Sequence, residues 1–225
     1  MGGIRLDLHV HSHHSPDSSL SIEAIVTHLA AHGLNGIALT DHNTVAGHAE
    51  LASWQAKLPD AVLLPGVEVS TLEGHLLVYG VHELPPMGRP VVETVEWALG
   101  RGAVPVPAHP FRLSHGVGRA VALRVPVPAL ETVNGHNSPR ANRKAAAVAG
   151  ARSLATTGGS DVHELSDLGR AYTEFPEGTT GVDGVLAALS VGHTIAGGTT
   201  LDFSGRVRTT WRTVALRLRR GLRPI

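Results

Sequence analysis

Fifteen histidines and no cysteine occur in a chain of 225 residues. With no thiolate available, any metal must be held by imidazole nitrogen and carboxylate oxygen. Acid–base chemistry near neutral pH falls to the same side chains. Leu6-Asp7-Leu8-His9-Val10-His11 closes a first apolar run, Leu39-Thr40-Asp41-His42 a second, Gly66-Val67-Glu68-Val69 a third, and Val106-Pro107-Ala108-His109-Pro110 a later one. Gly159-Ser160-Asp161-Val162-His163 follows the last strong run. His9 and His11, two apart on extended chain, project from one face and can reach one metal or two adjacent ones. Asp161 and His163 repeat that spacing, and Asp17 lies in a Ser15-Pro16-Asp17-Ser18 loop able to fold back over them. A lone strand-end histidine is ordinary structure. Five separate runs ending in ligand-type residues are not, because so many buried ionisable groups would be costly to desolvate without metal.

These residues need a scaffold that gathers strand ends. Apolar runs at 4–8, 36–40, 61–69, 75–81, 103–108, 130–134, 152–157 and 194–196 predict strands. Helical spacing predicts helices at 21–32, 44–57, 90–101, 138–149 and 180–190. Ser21 is the expected N-cap of the first and Gly33 its stop. Seven or eight βα units point to a parallel α/β architecture, closed into a barrel rather than left open. In such a barrel the C-terminal strand ends converge on the face where active sites are built. Residues 111–127, rich in Gly, Pro, Arg and Ser, predict a long loop and a candidate lid.

The length suits one domain, and 42% hydrophobic against 17% charged residues excludes global disorder. The N-terminus lacks the apolar run of a signal peptide and no stretch approaches a membrane span, so a cytoplasmic protein with no membrane partner is expected. Residues 1–202 hold 12 Lys and Arg against 19 Asp and Glu, and residues 203–225 hold seven Arg and no acid. The body therefore carries −7 and the end +7. Trp211, Val214, Leu218 and Leu222 recur at near-helical spacing among the arginines. This segment is expected to pack on the barrel, with contact to nucleic acid or anionic lipid as the alternative.

Taken in order, Asp7-Leu8-His9-Val10-His11-Ser12, Thr40-Asp41-His42-Asn43, Gly66-Val67-Glu68-Val69, Ala108-His109-Pro110 and Ser160-Asp161-Val162-His163 resemble the motifs of the PHP superfamily, named for polymerase and histidinol phosphatase. Leu168-Gly169-Arg170-Ala171-Tyr172-Thr173 resembles that family's continuation. The resemblance implies a distorted seven-stranded TIM-like (β/α)7 barrel over residues 1–200, with 201–225 as a basic tail or helix. It also implies phosphoester hydrolysis with up to three divalent metals, held by a nine-residue set. Carried over, that set is His9, His11, Asp17, His42, Glu68, His75, His109, Asp161 and His163. For one position His82 rivals His75, which the Gly74-His75-Leu76-Leu77 context favours.

A nitrogen- and oxygen-rich set without sulfur suits two or three Zn, Mn or Fe ions. Glu68 is the natural bridge, and a metal-acidified water the expected nucleophile. Asp17, His42, Glu68 and Asp161 are the expected catalytic residues. Arg112 joins them as a phosphate clamp, with Arg170 as a second candidate. Asp41 is read either as a partner orienting an imidazole or as a strand-end cap. His136 and His82 are candidate general acids. His13 and His14 are expected in a solvated loop. His28, His32, His48, His115 and His193 are expected to be structural. The expected substrate is a phosphorylated small molecule or nucleotide. A nuclease trimming short RNA or DNA ends, a histidinol-phosphate phosphatase and a non-catalytic metal-binding module are the alternatives. Oligomeric state is left open.

Overall fold

The structure, a computed structural model, describes residues 3–221 and residue 225. Strand β1 (Arg5–Val10) leads into helix α1 (Ile22–Thr27), β2 (Gly36–Leu39), α2 (His48–Lys57), β3 (Val62–Ser70) and β4 (His75–Tyr79). Then come α3 (Val91–Leu99), β5 (Val104–Pro107), α4 (Gly118–Ala122), β6 (Ala129–Asn134), α5 (Pro139–Arg152) and β7 (Ala155–Gly159). The chain closes with β8 (Ala171–Glu174), α6 (Gly181–Ser190), β9 (Ile195–Gly198) and α7 (Phe203–Arg219). No described helix is long and apolar enough to cross a membrane.

The strands form a curled α/β sheet ordered β5-β4-β3-β2-β1-β8-β9, with β6 and β7 as a separate pair. This modifies the regular (β/α) repeat expected. β1/β2, β2/β3 and β6/β7 run parallel, whereas β3/β4, β4/β5, β1/β8 and β8/β9 run antiparallel. The reason at β3/β4 is loop length: the turn from Ser70 to His75 is too short for a helical crossover, so the next strand must return antiparallel. The β6/β7 pair is tied to β1 beyond the strand ends, where Asp161 N and Val162 N donate to His9 O at 2.8 and 3.2 Å. It is tied to β5 by His109 N donating to a Glu131 carboxylate oxygen at 2.6 Å.

Both faces of the sheet are covered, and the two-residue period of the strands sorts their side chains. On β4, Leu77 and Tyr79 join a cluster with Leu6, Leu8, Leu64, Val185 and Leu189. Leu76 and Val78 join another with Val91, Val95, Leu130 and Val148. Val10, Ile37, Leu39 and Leu63 pack against Ile22, Ile25 and Leu51 of α1 and α2.

Local details depart from the sequence expectations for identifiable reasons. Ser21 does cap α1, accepting from Ala24 N, but that helix ends at Thr27 and resumes as a 3-10 turn, Ala30–His32, stopped by left-handed Gly33. α5 runs on to Arg152, where left-handed Ser153 ends it, so β7 starts only at Ala155. Residues 111–127 contain α4 as well as loop. β8 pairs with β1 and β9 in a stretch not expected to be strand. Near the C-terminus, Trp211 and Leu218 are 71% and 60% exposed, so the apolar stripe does not pack on the sheet. Leu222 lies outside the described residues.

Candidate metal centre

The nine residues carried over from the motifs come together from separate elements. β1 delivers His9 from within the strand and His11 just past its end. A bulge between Asp7 and Val10 re-aims this segment. His42 follows β2 and bridges to Glu68 in β3. His75 opens β4, His109 follows β5, and Asp161 and His163 follow β7. The loop after β1 folds back, as expected, to bring in Asp17.

Glu68 is the hub. Its Oε2 lies 3.1 Å from His9 Nε2 and 3.2 Å from His42 Nδ1, and its Oε1 lies 2.9 Å from both His75 Nδ1 and His109 Nε2. Asp17 Oδ2 stands 3.2 Å from His42 Nε2 and 2.8 Å from His163 Nε2. His11 Nε2 lies 3.3 Å from Glu68 Oε2 and from Asp161 Oδ1. Within this cluster, four groups have ligand atoms within 4.8 Å of one another: His9, His11 and Asp161; His9, Glu68 and His109; His11, Asp17 and His42; and His42, Glu68 and His75. A fifth such group, His13, His14 and Glu50, is less buried and shares none of these residues. His82 is exposed and belongs to none of the described clusters.

The donor chemistry fits divalent ions. His11 Nδ1 and His75 Nε2 are buried with no hydrogen-bond partner among the described residues. Water or metal is the ordinary solution for such groups. Three buried carboxylates amid imidazoles also supply the charge that divalent ions require. Burial opposes ionisation of Glu68, Asp17 and Asp161, yet the surrounding imidazoles hold all three well below the usual carboxylate range. At Asp161 the Arg112 guanidinium is the largest of the lowering influences, ahead of the imidazoles. Conversely, burial opposes charge on His11, but Asp17, Asp161 and Glu68 raise it to about 10. His9 is likewise raised well above the ordinary value, by Glu68, Glu131 and Asp161. His109 moves the other way, to about 3, through burial and then Arg112.

The backbone is strained where two of these groups are aimed. His109 and Asp161 have φ of 30° and 59°, in the left-handed region that side chains other than glycine rarely adopt. Such conformations cost on the order of 1–3 kcal/mol and persist where surrounding structure over-determines them. At Asp161 the bonds to His9 O on one side and the Arg112 guanidinium on the other do so. Gly74 has another role. A Cβ there would lie 2.6 Å from His115 O and Val117 N, so only glycine lets the 111–117 segment close on the start of β4. His75 N then donates to His115 O at 2.8 Å.

Several supporting residues differ from expectation. Arg112 lines the cavity but is partly engaged by its neighbours. Its Nη2 donates to Asp161 Oδ2 at 2.5 Å and Asn134 Oδ1 at 2.7 Å, and its Nε to Asn137 Oδ1 at 3.1 Å. Arg170 pairs with Asp167 at 3.3 Å. Asp41 orients a hydroxyl loop rather than an imidazole, accepting from Ser12 N at 2.5 Å and Ser12 Oγ at 2.7 Å. His115, expected to be structural, stacks on His75 with ring centroids 4.6 Å apart and lines the cavity. Glu131 was missed. Its Oε1 meets His9 Nδ1 at 2.9 Å, its Oε2 accepts from His109 N, and it is buried. The only signal was a single acid inside the apolar Ala129–Asn134 run.

Above the cluster lies a cavity of about 490 Å³, lined by Asp17, His42, Glu68, His75, Asp161 and His163 on one side. Arg112, His115 and His136 stand at its edges, and α7 forms the opposite side.

Comparison with known proteins gives both family matches and similar folds. The family model described as PHP domain matches residues 7–84, and one described as PHP-associated matches residues 139–194. The uncharacterized protein MJ1587 of Methanocaldococcus jannaschii is 28% identical over 118 residues, 48% of this chain and 68% of its own. A two-domain protein from Bacteroides vulgatus, containing a predicted PHP-like metal-dependent phosphoesterase, superposes with a TM-score of 0.68 at 20% identity, covering 93% of this chain and 69% of that one. PsfC from Pseudomonas syringae superposes with a TM-score of 0.70 at 20% identity, covering 97% and 99%. At such identities the superpositions speak for the fold, while the two family matches take in eight of the nine clustered side chains, all but His109. With PHP and PHP-associated matches over residues 7–84 and 139–194, the chain belongs to the PHP superfamily; its structural neighbours include proteins described as predicted PHP-like or metal-dependent phosphoesterases, PsfC and an amidohydrolase.

Proposed function

We propose that this protein hydrolyses phosphate esters, with a small phosphomonoester or nucleotide-like molecule as substrate and two or three divalent Zn, Mn or Fe ions as cofactor. The observation that carries the reading is the convergence of nine ligand-type side chains beneath a cavity of about 490 Å³. That volume falls in the range of small-molecule sites. His9, His11, Asp17, His42, Glu68, His75, His109, Asp161 and His163 would hold the ions, and the two Glu68 oxygens face different sets of imidazoles, His9, His11 and His42 on one side and His75 and His109 on the other. Bound ions of this kind neutralise phosphoryl oxygens and acidify the attacking water.

The chain's own residues do the positioning. Glu131 accepts from His9 Nδ1, leaving Nε2 turned toward Glu68. Arg112 fixes one Asp161 oxygen, leaving Oδ1 toward His11. Its role here is to hold that carboxylate. His136 lines the cavity, but burial lowers its pKa, so at neutral pH it is an uncharged hydrogen-bonding group rather than a charged proton donor. Exposed His82 lies outside the cavity and takes no part.

The test is to purify the chain without chelator, quantify its metals, and assay phosphomonoesters, phosphodiesters and short oligonucleotides with Mn, Zn or Fe. His9→Ala and Asp161→Ala are run alongside. Two or three ions per chain and loss of turnover in both variants are expected. Substoichiometric metal after reconstitution, or unchanged turnover in both variants, would overturn the proposal. A preference for oligonucleotide ends over small esters would select the nuclease reading.

A further inference from the structure

Helix α7 presents its polar side to the cavity. Arg206, Thr209, Thr210, Thr213, Val214 and Arg217 line it. Their spacing of three and four residues places them on one side of the helix. Phe203, Val207, Trp211 and Leu218 form a separate stripe turned to solvent, with Phe203 75% exposed. A helix docked only to complete a core turns its apolar stripe inward. Here the stripe is outside, and what faces the metal cluster is basic and hydroxylic. Thr209 is 2% exposed, and its hydroxyl has no hydrogen-bond partner among the described residues. An unsatisfied buried hydroxyl beside a polar cavity points to a ligand or water that completes it.

The helix is held by polar tethers at both sides of the rim. Arg220 Nη1 donates to Ser15 O and Ser18 O, 2.8 Å each, flanking Asp17. Arg212 pairs with Glu164 at 2.5 Å, next to His163. The arginines divide by face: Arg206 and Arg217 are half-buried, Arg208 and Arg219 exposed.

We propose that this side of α7 is the anion-recognition wall of the substrate pocket, with Arg206 and Arg217 engaging phosphoryl oxygens and Thr209 hydrogen-bonding the same ligand. The ligand class, a small phosphate monoester, rests on the phosphoesterase reading above. Arg112 binds Asp161, Asn134 and Asn137 through Nη2 and Nε, and α7 adds two further guanidinium groups to the same lining, with Arg206 also donating to Leu201 O. α7 thus adds a basic, hydroxylic wall to a cavity whose other lining is the histidine–carboxylate cluster.

The experiment uses the full-length chain loaded with Mn²⁺. Turnover of 4-nitrophenyl phosphate gives KM and kcat, and calorimetry gives the affinity for inorganic phosphate. Arg206→Ala, Arg217→Ala and Thr209→Val are compared with the outer-face controls Arg208→Ala and Arg219→Ala. Arg217→Lys separates charge from the planar fork. Each inner arginine variant should weaken phosphate binding and raise KM roughly tenfold, the size of one lost charge-assisted hydrogen bond. Metal content should be unchanged, the outer controls should match wild type, and Arg217→Lys should fall between. Equal effects of inner and outer variants would overturn the assignment while leaving a phosphatase in place, and so would phosphate failing to bind wild type. Phosphate binding weakened only by the inner variants, with no ester hydrolysed by wild type, would instead overturn the hydrolase reading and leave the α7 assignment standing.

Discussion

Glu131 shows how much of the centre depends on residues that touch no ion in the proposed scheme. A carboxylate only accepts hydrogen bonds, so its contact to His9 Nδ1 requires the proton to sit on that nitrogen. The Nε2 lone pair is thereby kept for Glu68's neighbourhood. Its other oxygen accepts from the strained His109 backbone N–H. Glu131→Gln keeps the shape but supplies one amide donor. With its oxygen retained by His109 N and Asn134, the amide faces His9 Nδ1 and forces the other tautomer. Metal affinity should fall about 10- to 100-fold, the usual cost of removing such an outer partner. Chelator-competition titration measures it, and an unchanged affinity would remove Glu131 from the site. Arg112→Met should likewise weaken metal retention by releasing Asp161, and KM for a phosphate ester should change less than metal content does.

At the scale of elements, the legible part was whatever repeats locally. His9-x-His11 carries the two-residue period of extended chain, and His42, Glu68 and His109 lie at the ends of apolar runs, so their convergence followed from any α/β sheet that gathers strand ends. His75, which opens β4, and Asp17, in a loop, came from the family resemblance instead, and left-handed Asp161 departs from the extended spacing read for Asp161-x-His163. Glu131 sits mid-strand among apolar neighbours, and only the pairing of β6 with β7 and its approach to β5 turn it toward His9. The direction of β4 also escaped, since it depends on the turn built around Gly74 rather than on the strand's own pattern. α7 is legible in a different way. Its apolar spacing is genuine, but spacing says which residues share a stripe, not which stripe faces inward. Two arginine tethers decide that here, and they suggest a test. Arg220→Ala removes both bonds to the Asp17 loop. Amide exchange across 203–219 should accelerate, while β1 to β5 keep their protection. Unaltered exchange in α7 would mean the tether does not hold the helix.

For the molecule as a whole, the ionisable groups of the centre tie metal content to pH. Without metal, the raised pKa values of His9 and His11 mean that these rings carry a proton at neutral pH, paired with Glu68, Asp17 and Asp161, and Asp17 raises His163 in the same direction against the opposing effect of burial. A group raised in the folded state contributes stability that is fully present below its unfolded pKa and is lost as pH climbs through the folded one. For His11 that window runs from 6.5 to about 10. The depressed carboxylates contribute in the opposite sense, losing their share only in strong acid. The metal-free chain is therefore held by proton-charged ion pairs at pH 7 and weakens as those protons leave in alkali. Divalent ions take the same nitrogens, so their uptake must expel protons. Calorimetry of Mn²⁺ or Zn²⁺ binding at pH 7 in buffers of different ionisation enthalpy should show net proton release, and affinity should rise from pH 6 to 9. Ligand binding to the native state raises stability by mass action, so the gap in Tm between metal-loaded and chelated protein should widen over the same interval. Heats independent of buffer, or a gap that narrows toward pH 9, would mean that the imidazoles are neutral before metal arrives and that the ion pairs do not stand in for the metals.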